Sequence, residues 1–291
     1  MNDFFNPPIV SVNDAVKKAL EEDFGLLGDL SSDLLSSDIK AQGCFIARES
    51  GVLAGTLCVL KAAEYVDTDL KVDFKKVDGE TVNAGEQFGL IIGTLQSILS
   101  VERVALNFLG LLSGIASITN KYVQICKEVN PNISIVDTRK TLPGLRALSK
   151  AAVRAGGGKN HRGNLSDGIL IKDNHLALMS MEELITKARR MWPYKMVEVE
   201  CETFNQVKQA IELNADIIML DNMEVELAKK CVDFIRDQSL NTLIEISGGI
   251  NLENVALYAQ LGPDFISIGS LTHSVKTLDI SLEITPDASC S

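Results

Sequence analysis

The second half of the chain repeats one pattern, in which a short apolar segment is followed by a longer amphipathic one. From about residue 130 onward, six apolar runs alternate with five stretches of helical spacing. The runs are ISIVD, GILIK, MVEVE, DIIMLD, LIEIS and DFISIG. Alternation of this kind is typical of parallel β/α units. We therefore predict an α/β protein whose C-terminal part is a six-stranded parallel sheet flanked by helices.

Polar or charged residues close the predicted strands at their C-terminal ends. Glu200, Asp221 and Ser247 end three consecutive runs. A β/α barrel gathers the ends of all its strands at one face, where the active site lies. An open doubly wound sheet would gather only some of them, and its usual GxGxxG fingerprint is absent. We favour an incomplete six-stranded β/α barrel, two strands short of the usual eight.

A basic segment interrupts an otherwise acidic chain. Between Arg139 and Lys172 there are eight lysines or arginines and one acid, Asp167, whereas the whole chain carries a net charge of −11. A nucleic-acid-binding protein normally spreads positive charge over a broad face. The concentrated charge instead predicts a pocket for a small polyanion, and no nucleic-acid partner.

Part of this charge could be ordinary helix surface. Arg146, Lys150 and Arg154 fall at four-residue intervals and are predicted to form one solvated stripe. The candidates that remain lie at strand ends or in GGGKNHRG, residues 156–163; they are Arg139, Lys140, His161, Arg162 and Lys172. The three consecutive glycines predict a flexible loop that closes over a ligand.

Two glycine- and serine-containing loops follow the last two predicted strands. SGGI offers Ser247, Gly248 and Gly249, and GSLTHS offers Gly269 and Ser270. Backbone amides and hydroxyls in such loops often bind phosphate in barrels. A turn or packing role for the glycines is the alternative, and two such loops on adjacent strands favour phosphate.

The first part of the chain has a different pattern. Residues 11–24 predict an amphipathic helix, and residues 41–92 contain the β-like runs GCFIARES, GVLAGTLCVL, LKVDFKKV and FGLIIGTL with a helical insert near KAAEYVDT. Residues 98–129 predict an apolar helix that packs on both sides. Arg103 in this helix could pair with Glu102, or reach a neighbouring subunit's pocket as an anion ligand.

No uninterrupted apolar run approaches the roughly 20 residues that span a bilayer, and MNDFFNPPIV does not look like a signal peptide. These features predict a cytoplasmic protein without a membrane partner. The six cysteines include no CxxC pair, so we expect neither a zinc site nor disulfides. They are predicted to be reduced and mostly buried.

Several long motifs resemble one enzyme family. DTRKTLPGLR, GGGKNHRGNLSDG, VEVE, IIMLDN, EISGGI and ISIGSLTHS occur in order, preceded by ERVALNFLGLLSGIA. Together they resemble the decarboxylating quinolinate phosphoribosyltransferases of NAD biosynthesis. The resemblance implies an N-terminal α/β sandwich domain at residues 1–112, joined by the tail 276–291, and a barrel at 113–275. It also implies quinolinate and phosphoribosyl pyrophosphate as substrates, Mg²⁺ as cofactor, and a homodimer with a shared active site.

The same resemblance implies residue roles. Four residues would be catalytic, namely Lys140, Lys172, Glu200 and Asp221. The quinolinate carboxylates would be held by Arg103 of the partner subunit together with Arg139, His161 and Arg162. Thr138 would also bind substrate. Glu200 and Asp221 would face the ribose and Mg²⁺, directly or through substrate or water. The 5′-phosphate would be surrounded by Ser247, Gly248, Gly249, Gly269, Ser270 and His273.

Two other functions fit the same motifs. One is a related phosphoribosyltransferase that uses nicotinate or another pyridine without decarboxylation. The other is a non-catalytic barrel that binds phosphorylated metabolites. Several cationic residues at one site favour a dicarboxylate over nicotinate, and two strand-end carboxylates favour an enzyme over a binding protein.

Overall fold

The structure is a computed structural model that describes residues 6–239 and 241–286 of the chain. The chain forms two compact units. The first contains residues 1–120, 141–157 and 270–291, and the second contains residues 121–140 and 158–269. Both units interleave along the sequence, so neither is one continuous stretch.

The first unit contains an antiparallel four-stranded sheet, in which the spatial order of the strands is Ile280–Pro286, Lys40–Ala47, Gln87–Thr94 and Lys71–Phe74. Its strands are β1 (Lys40–Ala47), β3 (Lys71–Phe74), β5 (Gln87–Thr94) and β12 (Ile280–Pro286). A separate pair consists of β2 (Gly51–Val52) and β4 (Thr81–Val82). Phe45, Phe74 and Phe88 lie with ring centroids 5.5 to 6.2 Å apart. These aromatic contacts form part of the core beneath the sheet.

The helices of the first unit begin with α1 (Ile9–Phe24) and α2 (Thr56–Val66), which pack on each other. Val12, Val16 and Leu20 are buried at four-residue spacing, as the amphipathic pattern predicts. The prediction that GVLAGTLCVL is a β run was wrong beyond Val52, since Thr56 begins α2. Thr56 N–H and Gly55 N–H both donate to Asp78, and these bonds fix the start of that helix.

Helix α3 (Leu95–Val129) is the predicted long apolar helix. By length and composition alone this helix could cross a membrane, although it contains no long uninterrupted apolar run. Of its most apolar 18-residue window, 67% is buried within the protein. Core helices of soluble proteins meet the same criterion, so the indication is weak. Gly114 lets the C-terminal tail approach the helix closely, since a Cβ there would lie 2.9 Å from Val275.

Helix α4 (Arg146–Ala155) corrects the expectation of a solvated stripe. Lys150 is only 6% exposed, and the Arg154 guanidinium donates to the carbonyl oxygen of Asn6. The four-residue spacing is correct, but the helix packs against α1 within the first unit. A cation on a helix face is solvated only when no other element covers that face, and sequence spacing does not report this.

The second unit contains a parallel sheet with the spatial order β6 (Ser134–Val136), β11 (Phe265–Ser267), β10 (Leu243–Ser247), β9 (Ile217–Asp221), β8 (Val197–Cys201) and β7 (Ile169–Ile171). β6 and β11, the first and last strands of this sheet in the sequence, lie side by side. Each remaining pair of neighbouring strands is consecutive in the sequence, as in a barrel. A doubly wound sheet would instead reverse its order at one point. β6 and β7 do not pair with each other among the described residues, so the barrel is incomplete, as predicted.

From β7 onward the strands and helices of this unit alternate as the sequence indicates, whereas the helix predicted after β6 is α4, which belongs to the first unit. The strands are β6 (Ser134–Val136), β7 (Ile169–Ile171), β8 (Val197–Cys201), β9 (Ile217–Asp221), β10 (Leu243–Ser247) and β11 (Phe265–Ser267). The helices are α5 (Asp173–Leu176), α6 (Met181–Met191), α7 (Phe204–Glu212), α8 (Val225–Gln238) and α9 (Val255–Ala259), and a short α10 (Ser270–His273) follows in the first unit.

The prediction that the cysteines are mostly buried is confirmed for the described residues. Five cysteines are buried and form no disulfide with one another, namely Cys44, Cys58, Cys126, Cys201 and Cys231. Cys290 lies outside the described residues.

Candidate active site

Lys172 and Glu200 form an ion pair at the C-terminal ends of neighbouring strands. Lys172 directly follows β7, and its Nζ lies 2.6 Å from Oε2 of Glu200 on β8. The Glu200 side chain is 9% exposed and that of Lys172 is 43% exposed. A carboxylate this buried requires a cationic or hydrogen-bonding partner. Parallel pairing of the two strands places both groups at one edge of the sheet.

Asp221 ends β9 beside Ser247, which ends β10 in register with it. Asp221 Oδ2 accepts a hydrogen bond of 2.6 Å from Asn222 Nδ2. The Asn222 N–H donates to the Ser247 carbonyl oxygen at 2.9 Å. Asn222 adopts a left-handed backbone with a φ of 53°. The chain after β9 thus turns sharply and is bonded to the end of β10, which holds Asp221 at the strand ends.

Gly248 and Gly249 both have positive φ, 87° and 65°. A Cβ at Gly248 would lie 2.8 Å from the backbone nitrogen of Asn222 and closer still to its side-chain oxygen. A Cβ at Gly249 would meet no atom within 4 Å. Packing against Asn222 therefore requires glycine at position 248, while position 249 requires it only for backbone conformation.

Replacing each of these two glycines by alanine is expected to lower stability by a different amount. Gly248→Ala is expected to lower the free energy of unfolding by about 3 kcal/mol, because steric displacement adds to the strain of positive φ. Gly249→Ala is expected to cost about 1 kcal/mol, from the backbone alone. Urea unfolding of both variants measures the difference. Equal losses would contradict the packing role of Gly248.

Arg139 lies close enough to Arg162 to affect its pKa. Burial, and then the positive charge of Arg139, lower the pKa of Arg162. Arg139 Nε is buried and has no hydrogen-bond partner among the described residues. Two guanidinium groups that repel each other, with an unsatisfied buried donor, match an anion with several acceptor oxygens.

The segment that carries Arg162 is more ordered than its glycines suggest. Lys159 pairs in parallel with Val136 of β6, and its N–H donates to the Ile135 carbonyl oxygen at 2.8 Å. Asp137, which is fully buried, accepts from Asn160 Nδ2 at 2.6 Å and from His161 N–H at 3.0 Å. The prediction of a flexible loop was therefore wrong for residues 159–161, where Lys159 bridges to β6 and Asp137 binds Asn160 and His161; closure over a ligand stays a prediction.

His161 faces two buried glutamates. Its Nε2 lies 3.1 Å from Oε2 of Glu198 and 3.5 Å from Oε2 of Glu245. Burial, and then the negative charge of Glu198, raise the pKa of Glu245 to about 7. We assigned no role to either glutamate from the sequence. The signal was available, because Glu198 lies two residues before Glu200 and must point to the same side of β8.

The second unit contains a cavity of about 380 Å³ near His161. His161, Arg162, Glu198 and Glu245 line it, together with Ile169, Ile217 and Phe265, the first residues of β7, β9 and β11. The cavity thus reaches the N-terminal ends of the strands. A larger cavity of about 530 Å³ lies in the first unit between α1 and α3, and no predicted site residue lines it.

Several predicted residues belong to the first unit. Arg103 is exposed on α3, and Ser270 and His273 lie in α10. His273 Nδ1 lies 2.6 Å from the Ser274 hydroxyl. Gly269 is the last residue of the second unit. Lys140 is exposed, and its N–H donates to the hydroxyl of Thr138 at 3.0 Å.

Possible cation ligands occur in two places. Glu200 and Asp221, the predicted Mg²⁺ ligands, each have one oxygen bound to a protein donor and carry a second oxygen. Mg²⁺ commonly takes one or two carboxylates and completes its coordination with water and phosphate oxygens, which these residues fit. Among the described residues, the only group of three potential ligand side chains is His161, Glu198 and Glu245.

Comparisons with known proteins agree on one family. The model for the N-terminal domain of quinolinate phosphoribosyl transferase matches residues 29–113, and the model for its C-terminal domain matches residues 115–283. The chain is 42% identical over 278 residues to a probable nicotinate-nucleotide pyrophosphorylase [carboxylating] of Methanocaldococcus jannaschii, covering 92% of this chain and 95% of that protein. A Bacillus subtilis protein with the same name is 41% identical over 266 residues, covering 91% and 90%.

A solved structure shows the same fold over nearly the whole chain. The nicotinate-nucleotide pyrophosphorylase from Francisella tularensis superimposes with a TM-score of 0.91 at 35% identity, covering 97% of this chain and 99% of that one. Both domain models match in the expected order, and the relatives align over nearly their full lengths. The chain therefore belongs to the quinolinate phosphoribosyl transferase family.

Proposed function

We propose that this protein transfers the phosphoribosyl group of phosphoribosyl pyrophosphate to quinolinate, with loss of carbon dioxide, and so forms nicotinate mononucleotide and pyrophosphate. The observation that carries the choice of a dicarboxylate is the pair Arg139 and Arg162, in which Arg139 Nε is buried and has no hydrogen-bond partner in the described part of the chain. Family membership supports it further. The relatives are named for the reverse direction of this reaction, in which nicotinate nucleotide is carboxylated.

The chemistry needs no organic cofactor. The C1–O bond between ribose and pyrophosphate breaks as the pyridine nitrogen forms a bond to C1. The ring nitrogen then carries a positive charge, which stabilises the electron pair left on the adjacent carbon when its carboxylate departs as carbon dioxide. A proton takes the place of the carboxylate on that carbon.

The strand-end residues fit the charges that develop. Glu200 and Asp221 can stabilise the cation-like ribose as pyrophosphate leaves. Lys172 and Lys140 can neutralise the negative charge of quinolinate and of the leaving group. Ser247, Gly248 and Gly249 are proposed to bind the 5′-phosphate with Gly269, Ser270 and His273. When bound, Mg²⁺ would neutralise pyrophosphate oxygens, and Glu200 and Asp221 are proposed to hold it, directly or through water.

A turnover assay tests this function. Protein, Mg²⁺ and phosphoribosyl pyrophosphate are incubated separately with quinolinate and with nicotinate, and nucleotide and carbon dioxide are measured. We expect nucleotide and an equal amount of carbon dioxide from quinolinate. Nucleotide from nicotinate alone would indicate the related enzyme without decarboxylation. Ligand binding without turnover would indicate a non-catalytic barrel.

We also propose that the protein is a homodimer in which Arg103 enters the partner's active site. Its exposed position on α3 supports this role, since an arginine that binds quinolinate across an interface must protrude from its own unit. The cytoplasm is the proposed location, supported by the five described cysteines, which form no disulfide with one another.

Mixed dimers test the shared site. Arg103→Ala and Glu200→Gln homodimers are each expected to be nearly inactive. A mixture of the two forms about half heterodimers, which contain one intact site, so it should recover up to about a quarter of wild-type activity per subunit. Heterodimers are verified with two affinity tags. Verified heterodimers without recovered activity would argue against sharing.

A further inference from the structure

Glu198 and Glu245 are buried carboxylates that the proposed reaction leaves unused. They are 4% and 2% exposed, on β8 and β10 of the second unit. Both Oε2 atoms lie within 3.5 Å of Nε2 of His161. Two carboxylates are rarely buried around one ring nitrogen unless that nitrogen donates to them. Nε2 of His161 therefore carries a proton.

The other ring nitrogen of His161 has the opposite role. The backbone N–H of Arg162 donates to Nδ1 at 2.8 Å. A nitrogen that accepts a hydrogen bond carries no proton of its own. The pattern therefore corresponds to neutral histidine protonated at Nε2. Both ring nitrogens are engaged within the protein, and neither presents an N–H to a substrate carboxylate.

These hydrogen bonds fix the position of the main chain at Arg162. The His161 backbone N–H is held by Asp137 at 3.0 Å, and the Arg162 N–H is held by the His161 ring. Arg162 itself donates from Nη1 to the Gly168 carbonyl oxygen at 3.2 Å. Successive peptide groups are thus fixed immediately before the side chain proposed to bind quinolinate.

We propose that His161 is a positioning residue that acts through Arg162, and that Glu198 and Glu245 fix the ring of His161 for that purpose. This inference rests on the proposed function, because it concerns how the quinolinate-binding arginine is held. It gives His161 an indirect part in binding, in contrast to the direct carboxylate contact that family resemblance implies.

The first test is the protonation state of the ring. Long-range ¹H–¹⁵N spectra of ligand-free protein labelled with ¹⁵N-histidine distinguish the ring forms, and the chain has only three histidines. The His161 signal is assigned by its loss in His161→Gln. We expect a neutral ring protonated at Nε2 at pH 7. A protonated imidazolium, or a ring protonated at Nδ1, would overturn the proposal whether or not the protein turns over quinolinate.

The second test compares two conservative variants. Asparagine at 161 places an oxygen near the position of Nδ1 and can still accept from Arg162 N–H, whereas glutamine places its amide near Nε2 and cannot. We expect His161→Gln to raise KM for quinolinate about tenfold, the scale of one unsatisfied buried donor, and His161→Asn to raise it less. KM for phosphoribosyl pyrophosphate should be unchanged. The reverse order would indicate that Nε2 itself binds the substrate.

A double-mutant cycle completes the design. In an Arg162→Ala background, His161→Gln is expected to change kcat/KM for quinolinate less than about twofold, because its effect acts through the missing arginine. Independent losses that multiply would contradict positioning. Glu226→Gln, an exposed carboxylate on α8, is the control and should behave as wild type. Wild-type protein that neither binds nor converts quinolinate would contradict the proposed function instead.

Discussion

Arg162→Ala is expected to lower kcat/KM for quinolinate by about a thousandfold, as removing one partner of a buried charge pair costs about 4 kcal/mol. Burial and the charge of Arg139 already lower the pKa of Arg162, so the two guanidinium groups repel each other in the free protein. A bound dicarboxylate relieves that repulsion. Removal of Arg162 therefore removes a charged contact and leaves one carboxylate without its partner.

The conservative change is informative here. Arg162→Lys keeps the charge but loses the planar fork that binds a carboxylate through two N–H groups. We expect a loss of about tenfold to a hundredfold for this variant. Arg190→Ala, an exposed arginine on α6, serves as the control and should leave the kinetics unchanged. If KM for quinolinate in Arg162→Ala equals that of wild type, the carboxylates bind elsewhere.

The fold of the second unit could be predicted because its signal is local. Each strand is a short apolar run, and each helix has an apolar stripe and a clear end. Thr203 and Ser180 even supply capping boxes at the starts of α7 and α6. The segment MEELITKARRM, residues 181–191, is a helix from its first residue to its last. Strand order followed from the expectation of a barrel.

The errors arose where tertiary contacts decide the outcome. The residues after Gly55 form a helix although their composition suits a strand, because Asp78, distant in sequence, binds the first N–H groups. Lys150 is buried on a helix that packs against α1. Residues 159–161 are held in place because Asp137 and β6 bind them. Neither composition nor spacing contains these partners.

Some features of the candidate site could likewise be predicted from the sequence, and others could not. Strand-end residues such as Glu200, Asp221 and Lys172 could be identified because parallel strands must bring their ends together. Glu198 shares this signal, since it lies two residues before Glu200 on the same side of β8, but only the structure shows that it is buried with Glu245 around His161. Their contacts differ from those of Glu200, because Glu198 and Glu245 face His161 whereas Glu200 pairs with Lys172.

Glu200→Gln and Asp221→Asn are expected to lower kcat about a hundredfold or more, with quinolinate affinity changed less than about threefold. Each change removes one negative charge that stabilises the cation-like ribose, and electrostatic contacts made mainly in the transition state act on kcat. Glu202→Gln, an exposed carboxylate just beyond β8, controls for the general effect of charge. Steady-state kinetics and calorimetric quinolinate binding separate the two effects. Because Lys172 loses its charged partner in Glu200→Gln, a rise in KM for quinolinate with kcat unchanged would instead give Glu200 the role of orienting that lysine.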